Sequence, residues 1–272
     1  MLLLAACLCG PPASAAPQRI VSLSVCTDQL LQALVDRRRI RALSFLAVDP
    51  LTSAAAKDAE GLPLVHAAAE EVLSLDADLV ILDAYTSTAT VAMLRRLGRD
   101  VLSVPYASSF GELYIAIDTI AAAVGEAGRG RAMIAELEQR LARVAASVTG
   151  TRPTALVYQV NGLTAGRGSL SDAVLTAAGY RNLAGERGLA GDAALPLEAL
   201  VANPPQLIIL DATPDTYRSV AADNLRHPAL RQLIERVATV QIAAPLWLCA
   251  NPRTIEVVEQ LAALRARIGG RR

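Results

Sequence analysis

The stretch GRGRAMIAELEQRLARVAASV, residues 128–148, constrains the fold more than any other part of the chain. Met133, Ile134, Leu137, Leu141, Val144, Ala145 and Val148 recur at helical spacing, with Glu136, Glu138, Arg140 and Arg143 between them. This predicts one long amphipathic helix. Neither Gly nor Pro interrupts it after Gly130. A run of about 19 residues at 1.5 Å each reaches roughly 28 Å, about the width of a small domain, so such a helix can span two lobes.

On either side of the helix the chain alternates strands and helices. RIVSLSV (19–25) reads as a strand running through Cys26 into the helix QLLQALVD, with Thr27 or Asp28 as N-cap. ALSFLAV (42–48), the strand Leu79–Leu82 and VLSVP (101–105) follow, with helices at 88–98 and 110–125. After the long helix the pattern restarts with the strand TALVYQV (154–160) and a glycine-rich loop NGLTAGRG (161–168). A helix capped by Ser169 or Ser171, strands ending near Asp211 and at 239–244, and a helix at 251–268 complete it. Alternation of this kind argues for parallel βα units. At an offset of 128, EEVLSLDADLVILDA (70–84) lies over EALVANPPQLIILDA (198–212), matching Glu70 with Glu198 and Asp83 with Asp211. The expected architecture is α/β: two Rossmann-like lobes joined by one long α-helix. The boundaries are a leader at 1–16, an N-terminal lobe at 17–126, a connecting segment at 127–150 and a C-terminal lobe at 151–272.

Charge excludes some partners. With 26 acidic and 26 basic residues the chain carries no net field, and no basic run interleaved with aromatics suggests nucleic acid. The opening MLLLAACLCGPPASAAPQ resembles a secretory signal peptide with an A-x-A cleavage site at Ala13-Ser14-Ala15, which implies export. Leu4-Ala5-Ala6-Cys7 also resembles a lipoprotein box, which would place a lipid on Cys7. Cleavage near residue 16 leaves Cys26 and Cys249, which spacing alone allows to be a bridge, a pair of ligands or two small hydrophobes.

The opening strand and helix, the Glu70 unit, the lobe-spanning helix, NGLTAGRGSLSDAVLTAAGYRNLA and APLWLCANPRTIEVVEQLA together resemble the helical-backbone (class III) periplasmic binding proteins, over residues 17–268. That family serves ABC importers for ferric siderophores, haem and vitamin B12. The resemblance implies a monomer that holds a metal chelate, a ferric siderophore or cobalamin, in the cleft between its lobes. It further implies delivery to an inner-membrane ABC permease, no catalytic residues and no resident cofactor or metal. Haem or a bare metal ion is the alternative cargo. A hydrolase is the alternative class, although no G-x-S-x-G, HExxH or Walker loop occurs and His66 and His227 are the only histidines.

Ligands of open α/β sheets bind beyond the carboxyl ends of the strands. That rule selects Cys26 and Thr27, Tyr85 and Thr86, and Tyr106 in the first lobe. In the second it selects Asn161 through Arg167, Thr213 and Pro214, and Trp247 to Arg253, which includes Cys249. His66 joins them through the resemblance, as a wall residue or an axial ligand. Trp247, the one Trp, is expected in the cleft, where a vitamin B12-binding relative also carries a Trp; Arg167 and Arg253 are candidate clamps for an anionic group. A disulfide needs Cα atoms roughly 4.4–6.8 Å apart, closer than a cleft wide enough for a macrocycle suggests. Cys26 and Cys249 are therefore expected as free thiols lining the site, available as soft ligands, with burial beneath their loops as the plain alternative. In the family one acid on each lobe docks onto permease arginines, and Glu70 and Glu198 match those positions. A single connecting helix also implies lobe closure of only a few degrees.

Overall fold

The structure, a computed structural model, describes residues 15–211 and 225–269. The leader with Cys7, and the candidates Thr213 and Pro214, lie outside the described residues.

Chain order runs β1 (Ile20–Ser22), α1 (Val25–Leu34), β2 (Ile40–Ser44), α2 (Ala56–Ala59), β3 (Leu64–Val65), α3 (Ala69–Ser74), β4 (Leu79–Asp83), α4 (Thr88–Arg96), β5 (Val101–Val104) and α5 (Phe110–Ala123). The long helix α6 (Ala127–Ser147) follows. Then come β6 (Thr154–Tyr158), β7 (Leu163–Ala165), α7 (Leu170–Ala177), β8 (Arg181–Asn182), α8 (Leu183–Glu186), β9 (Asp192–Ala194), α9 (Leu197–Ala202), β10 (Leu207–Asp211), α10 (Pro228–Ile234), β11 (Ala238–Ile242) and α11 (Thr254–Gly269).

The first sheet is parallel in the order β3-β2-β1-β4-β5, and the second is parallel in the order β11-β10-β6-β8. Central strands of such sheets are covered on both faces and so read as continuous apolar runs. Every residue of β4 is buried, as are Leu207 to Leu210 of β10. The order of strands reverses between β1 and β4 in one sheet and between β6 and β10 in the other. A crevice opens above the strand ends at such switch points.

Three local departures from the sequence expectations have plain causes. Ser24, not Thr27 or Asp28, caps α1: it takes extended angles and its Oγ accepts from the Thr27 N–H at 3.3 Å, which turns Asp28 inward. Strand β2 stops at Ser44 and the chain tightens into a 3-10 turn at Phe45–Val48. The glycine-rich loop contains β7, which pairs antiparallel with β9 as a separate two-stranded ribbon.

Helix α6 is held differently at its two ends. On the first lobe it lies close against α5, where a Cβ at Gly130 would stand 2.6 Å from the Cβ of Ala121. Buried Arg39 locks that corner, donating to Glu126 Oε1 at 2.7 Å and to the carbonyls of Pro17 and Val124. On the second lobe Arg140 makes a two-pronged pair with Glu259 of α11, at 2.9 and 2.7 Å. Arg265 of α11 donates to the carbonyls of Ser147 and Thr149 and so satisfies the carboxyl end of α6.

Candidate ligand-binding cleft

The ends of the two parallel sheets face a cleft that a short wall divides into two chambers. One, of about 470 Å³, is lined from the first lobe by Ser24, Phe45, Val65, His66, Asp83 and Thr86, among others. The other, of about 400 Å³, is lined by polar and apolar groups in about equal measure, the polar ones including Ser108 of the first lobe and Gln159, Ser169, Ser171 and Asp192 of the second. Tyr85, Tyr106 and Leu248 border both chambers.

The wall is built from specific contacts. Tyr85 and Tyr106 meet edge to face with centroids 5.7 Å apart, and the Tyr106 hydroxyl donates to the Leu248 carbonyl at 3.3 Å. Tyr85 is 77 % exposed, so its ring is available to a ligand. Its N–H donates to Asp83 Oδ1 at 3.0 Å, which pins the turn after β4. Burial, then the neighbouring carboxylate of Asp192, raises the Tyr106 phenol above its ordinary value and keeps it a neutral donor.

His66 lies in the first chamber with its ring stacked on Phe45 at 4.9 Å. Glu71 takes the His66 N–H at 2.6 Å and sits 3.4 Å from His66 Nδ1, which sets the ring's orientation. The next residue, Ala67, takes a φ of 62°, a left-handed backbone that costs a non-glycine residue of order 1 kcal/mol. Below the floor, Asp28 is fully buried and accepts from the Ser44 N–H and hydroxyl. Burial pushes its carboxyl up to about 7, although hydrogen bonds from Ser22 and Ser44 pull it down.

The structure gathers most of the expected residues and disperses others. Cys26, His66, Tyr85, Thr86, Tyr106, Trp247 and Cys249 border a chamber. Thr27 lies beneath the floor, its hydroxyl 2.8 Å from Ser22 Oγ. Asn161 is exposed with a φ of 63° and borders neither chamber. Arg167 turns away, donating to the Gly185 carbonyl at 3.0 Å, and Arg253 pairs with Glu256 and reaches the Ala54 carbonyl at 2.6 Å. His227 caps α10. Trp247 is both cleft and core: it is 4 % exposed, borders the second chamber and leaves its indole N–H without a hydrogen-bond partner among the described residues.

Cys26 and Cys249 are not free thiols. They form a disulfide with Cα atoms 5.3 Å apart, which corrects the expectation of two soft ligands. The lobes touch at the floor, where the first turn of α1 meets the segment entering α11, so the width of the cleft above does not keep the two cysteines apart. Residues missed by sequence reasoning include Phe45, Gln159 and Asp192, while Leu248 falls within the range 247–253 that the strand-end rule selects. Phe45 directly follows the carboxyl end of β2 at Ser44, where the strand-end rule would place a binding residue.

Comparison with known proteins agrees with this geometry. A 25 % identical cobalamin-binding protein of Halobacterium salinarum aligns over 252 residues, 91 % of this chain and 68 % of the relative. A periplasmic heme binding protein from Pseudomonas aeruginosa superposes with a TM-score of 0.72 at 25 % identity, covering 91 % of this chain and 92 % of that one. The periplasmic vitamin B12 binding protein BtuF of Vibrio cholerae shares the fold with a TM-score of 0.71 at 18 % identity, covering 93 % and 98 %. The periplasmic binding protein family model matches residues 20–242, most of the chain, and the two-lobed α/β chain described here belongs to that family of solute-binding proteins.

Proposed function

We propose that this chain receives a corrinoid of the cobalamin type in the divided cleft and delivers it to an ABC importer. One observation carries the choice among metal chelates: among the described residues lining the two chambers there is no Arg or Lys, whereas Asp83 and Asp192 are present. A dicarboxylate such as haem, or an anionic ferric catecholate, would bring uncompensated negative charge beside those acids, at a cost that rises as water is excluded. A corrinoid presents a flat apolar face and neutral amide arms. The apolar face suits the chamber of Phe45, His66 and Val65, and the amides suit the hydroxyls and carboxamide of Ser108, Ser169, Ser171 and Gln159. The 25 % identity to a cobalamin-binding protein supports the same choice.

Haem is the second reading, favoured by one feature: His66 has Nδ1 beside Glu71 and no described hydrogen bond at Nε2, an arrangement suited to an axial ligand. Export through the leader at 1–16 and residence in the periplasm belong to the same proposal, supported by the family. No helix among the described residues is long and apolar enough to cross a membrane. Glu70 and Glu198 are exposed in the first turns of α3 and α9 and are assigned to docking on the permease.

Equilibrium titration of the purified, oxidised chain with cyanocobalamin, haemin and ferric siderophores of the hydroxamate and catecholate types tests the choice. One-to-one binding of cyanocobalamin, tightest of the four, is the expected result. Tight haemin binding that His66→Ala abolishes, with no affinity for cyanocobalamin, would replace the corrinoid by haem.

A further inference from the structure

Three links tie one short segment of the second lobe to the first. Cys249 is bridged to Cys26 of α1, the Leu248 carbonyl accepts from Tyr106, and Arg253 donates to the Ala54 carbonyl. Residues 248–253 therefore form a strap that belongs in sequence to the second lobe and is fastened to the first. Leu248, the first residue of the strap, borders both chambers and is the second-lobe part of the wall between them, and Trp247 just before it borders one. The bridge is the one covalent link of the three. It closes a separation of 223 residues, so nothing local in sequence replaces it if it opens.

The position of the bridge matters as much as its existence. Cys249 is 1 % exposed and Cys26 is half-buried, and both border the apolar chamber. Both residues of the bridge thus line the space in which a ligand would lie. We propose that the Cys26–Cys249 disulfide is a redox-sensitive positioning element. Intact, it holds Leu248 in the wall, with Trp247 beside it, as a fixed surface against which the ligand packs; opened by a dithiol, it frees the strap and loosens the ligand. The proposal rests on the reading that the cleft is the ligand site.

The chemistry balances with the dithiol as reductant. Its thiolate attacks one sulfur of the bridge, forming a mixed disulfide and expelling the other protein sulfur as a thiolate that takes up a proton. The dithiol's second thiol, as thiolate, then displaces the remaining protein sulfur. The protein gains two electrons and two protons as two thiols, and the dithiol becomes a cyclic disulfide. Coupling between the two events is reciprocal: if reduction weakens the ligand, the ligand equally disfavours reduction.

Dithiothreitol and cyanocobalamin are the probes for the test on the mature chain. If the reduced strap keeps its binding-competent place about a tenth of the time, Kd rises about tenfold on reduction. Hydrogen exchange in residues 247–253 should rise with it, while circular dichroism stays unchanged. Cyanocobalamin should shift the thiol–disulfide equilibrium of the folded protein toward the bridge by the same factor by which reduction weakens its binding, which a bridge uncoupled from the ligand would not show. The Cys26→Ser/Cys249→Ser variant should match the reduced protein and ignore dithiothreitol; if it fails to fold, the reduced wild type supplies the same readings. A folded, reduced protein with unchanged Kd and unchanged exchange in the strap overturns the proposal. If the oxidised protein binds no chelate at all, the corrinoid reading falls, and the exchange of the strap with and without dithiothreitol still decides whether the bridge positions it.

Discussion

The two sheets are carried by the same unit and end on different floors. α3 and β4 in the first lobe correspond to α9 and β10 in the second, Ala69 to Leu197 and Leu79 to Leu207, an offset of 128 at both. Val80 and Ile81 are fully buried, and so are their counterparts Ile208 and Ile209. Above these matched strands the chemistry parts: a buried carboxyl, a stacked His66–Phe45 pair and one end of the disulfide in the first lobe; hydroxyls, Gln159 and Asp192 around the second. The apolar pattern of a covered strand fixes the scaffold twice over, and the loops beyond it are free to diverge, which is where binding residues concentrate.

The largest test of that contrast removes the one covalent link between the floors. Opening a loop closed over 223 residues should cost about 5 kcal/mol by loss of the constraint on the unfolded chain. Urea denaturation of the Cys26→Ser/Cys249→Ser variant against the oxidised wild type should show this as a lower midpoint. A loss under about 1 kcal/mol would mean that the bridge adds little to what α6 and its contacts already provide.

The next effect belongs to the first floor alone. The Asp28 carboxyl is raised by burial from 3.8 to about 7, with Asp83 as a smaller cause of the same sign. The folded state therefore holds a proton that the unfolded chain releases. Its contribution to stability is full below about pH 4 and is lost as pH rises through 7. Asp28→Asn keeps the amide's oxygen for the Ser44 N–H and should remove most of that slope, worth at most about 4 kcal/mol between pH 4 and 8. Thermal melts of both proteins across that range read the difference directly. Parallel curves would show that Asp28 does not titrate in this window.

How much of this was legible in the sequence follows the same division. The repeat, the long helix and the parallel strands announced themselves because burial on both faces forces apolar runs, and those runs are local. Tyr85, Tyr106, Thr86 and Trp247 followed from the strand-end rule, which needs only the place where each strand stops. The disulfide was misread because the approach of Cys26 to Cys249 depends on how the lobes close at the floor, a distance no local pattern encodes. Arg167 and Arg253 stand away from the chambers for a related reason: an arginine after a strand can serve a ligand or a neighbouring carbonyl, and here both reach carbonyls, Gly185 and Ala54. Asp192 and Gln159 gave no signal, since they acquire their place from the β7–β9 ribbon and the turn after β6.

A smaller effect separates the two ends of α6. Gly130→Ala gains helix propensity of roughly 1 kcal/mol but sets a methyl 2.6 Å from Ala121 Cβ, and overpacking of this kind costs about 1 to 3 kcal/mol, so a net loss near 1 kcal/mol is expected. Arg140→Ala at the other end breaks a partly exposed pair and should cost about 0.5 to 1 kcal/mol, less in high salt. Denaturation in low and high salt distinguishes a packing contact from an ionic one. Equal salt dependence in both variants would mean that the ends are held by the same kind of force.

The smallest expected effect on stability comes where the two lobes are most alike. Glu70 and Glu198 occupy the same position of the matched helices, both exposed. An acid in a first turn gains from the helix dipole, typically 0.3 to 1 kcal/mol and less when screened, so each change to Ala should move stability by no more than about 0.5 kcal/mol. Neither borders a chamber, and the affinity for cyanocobalamin should stay within error. If the pair instead serves a two-fold permease surface, the two variants should slow association with permease-containing vesicles to the same degree, with the loss greatest at low ionic strength. Equal loss from either variant would extend the internal repeat from scaffold to function. Loss from Glu70→Ala alone would confine docking to the first lobe, and transport unchanged in the double variant would leave both acids with no role beyond the dipole.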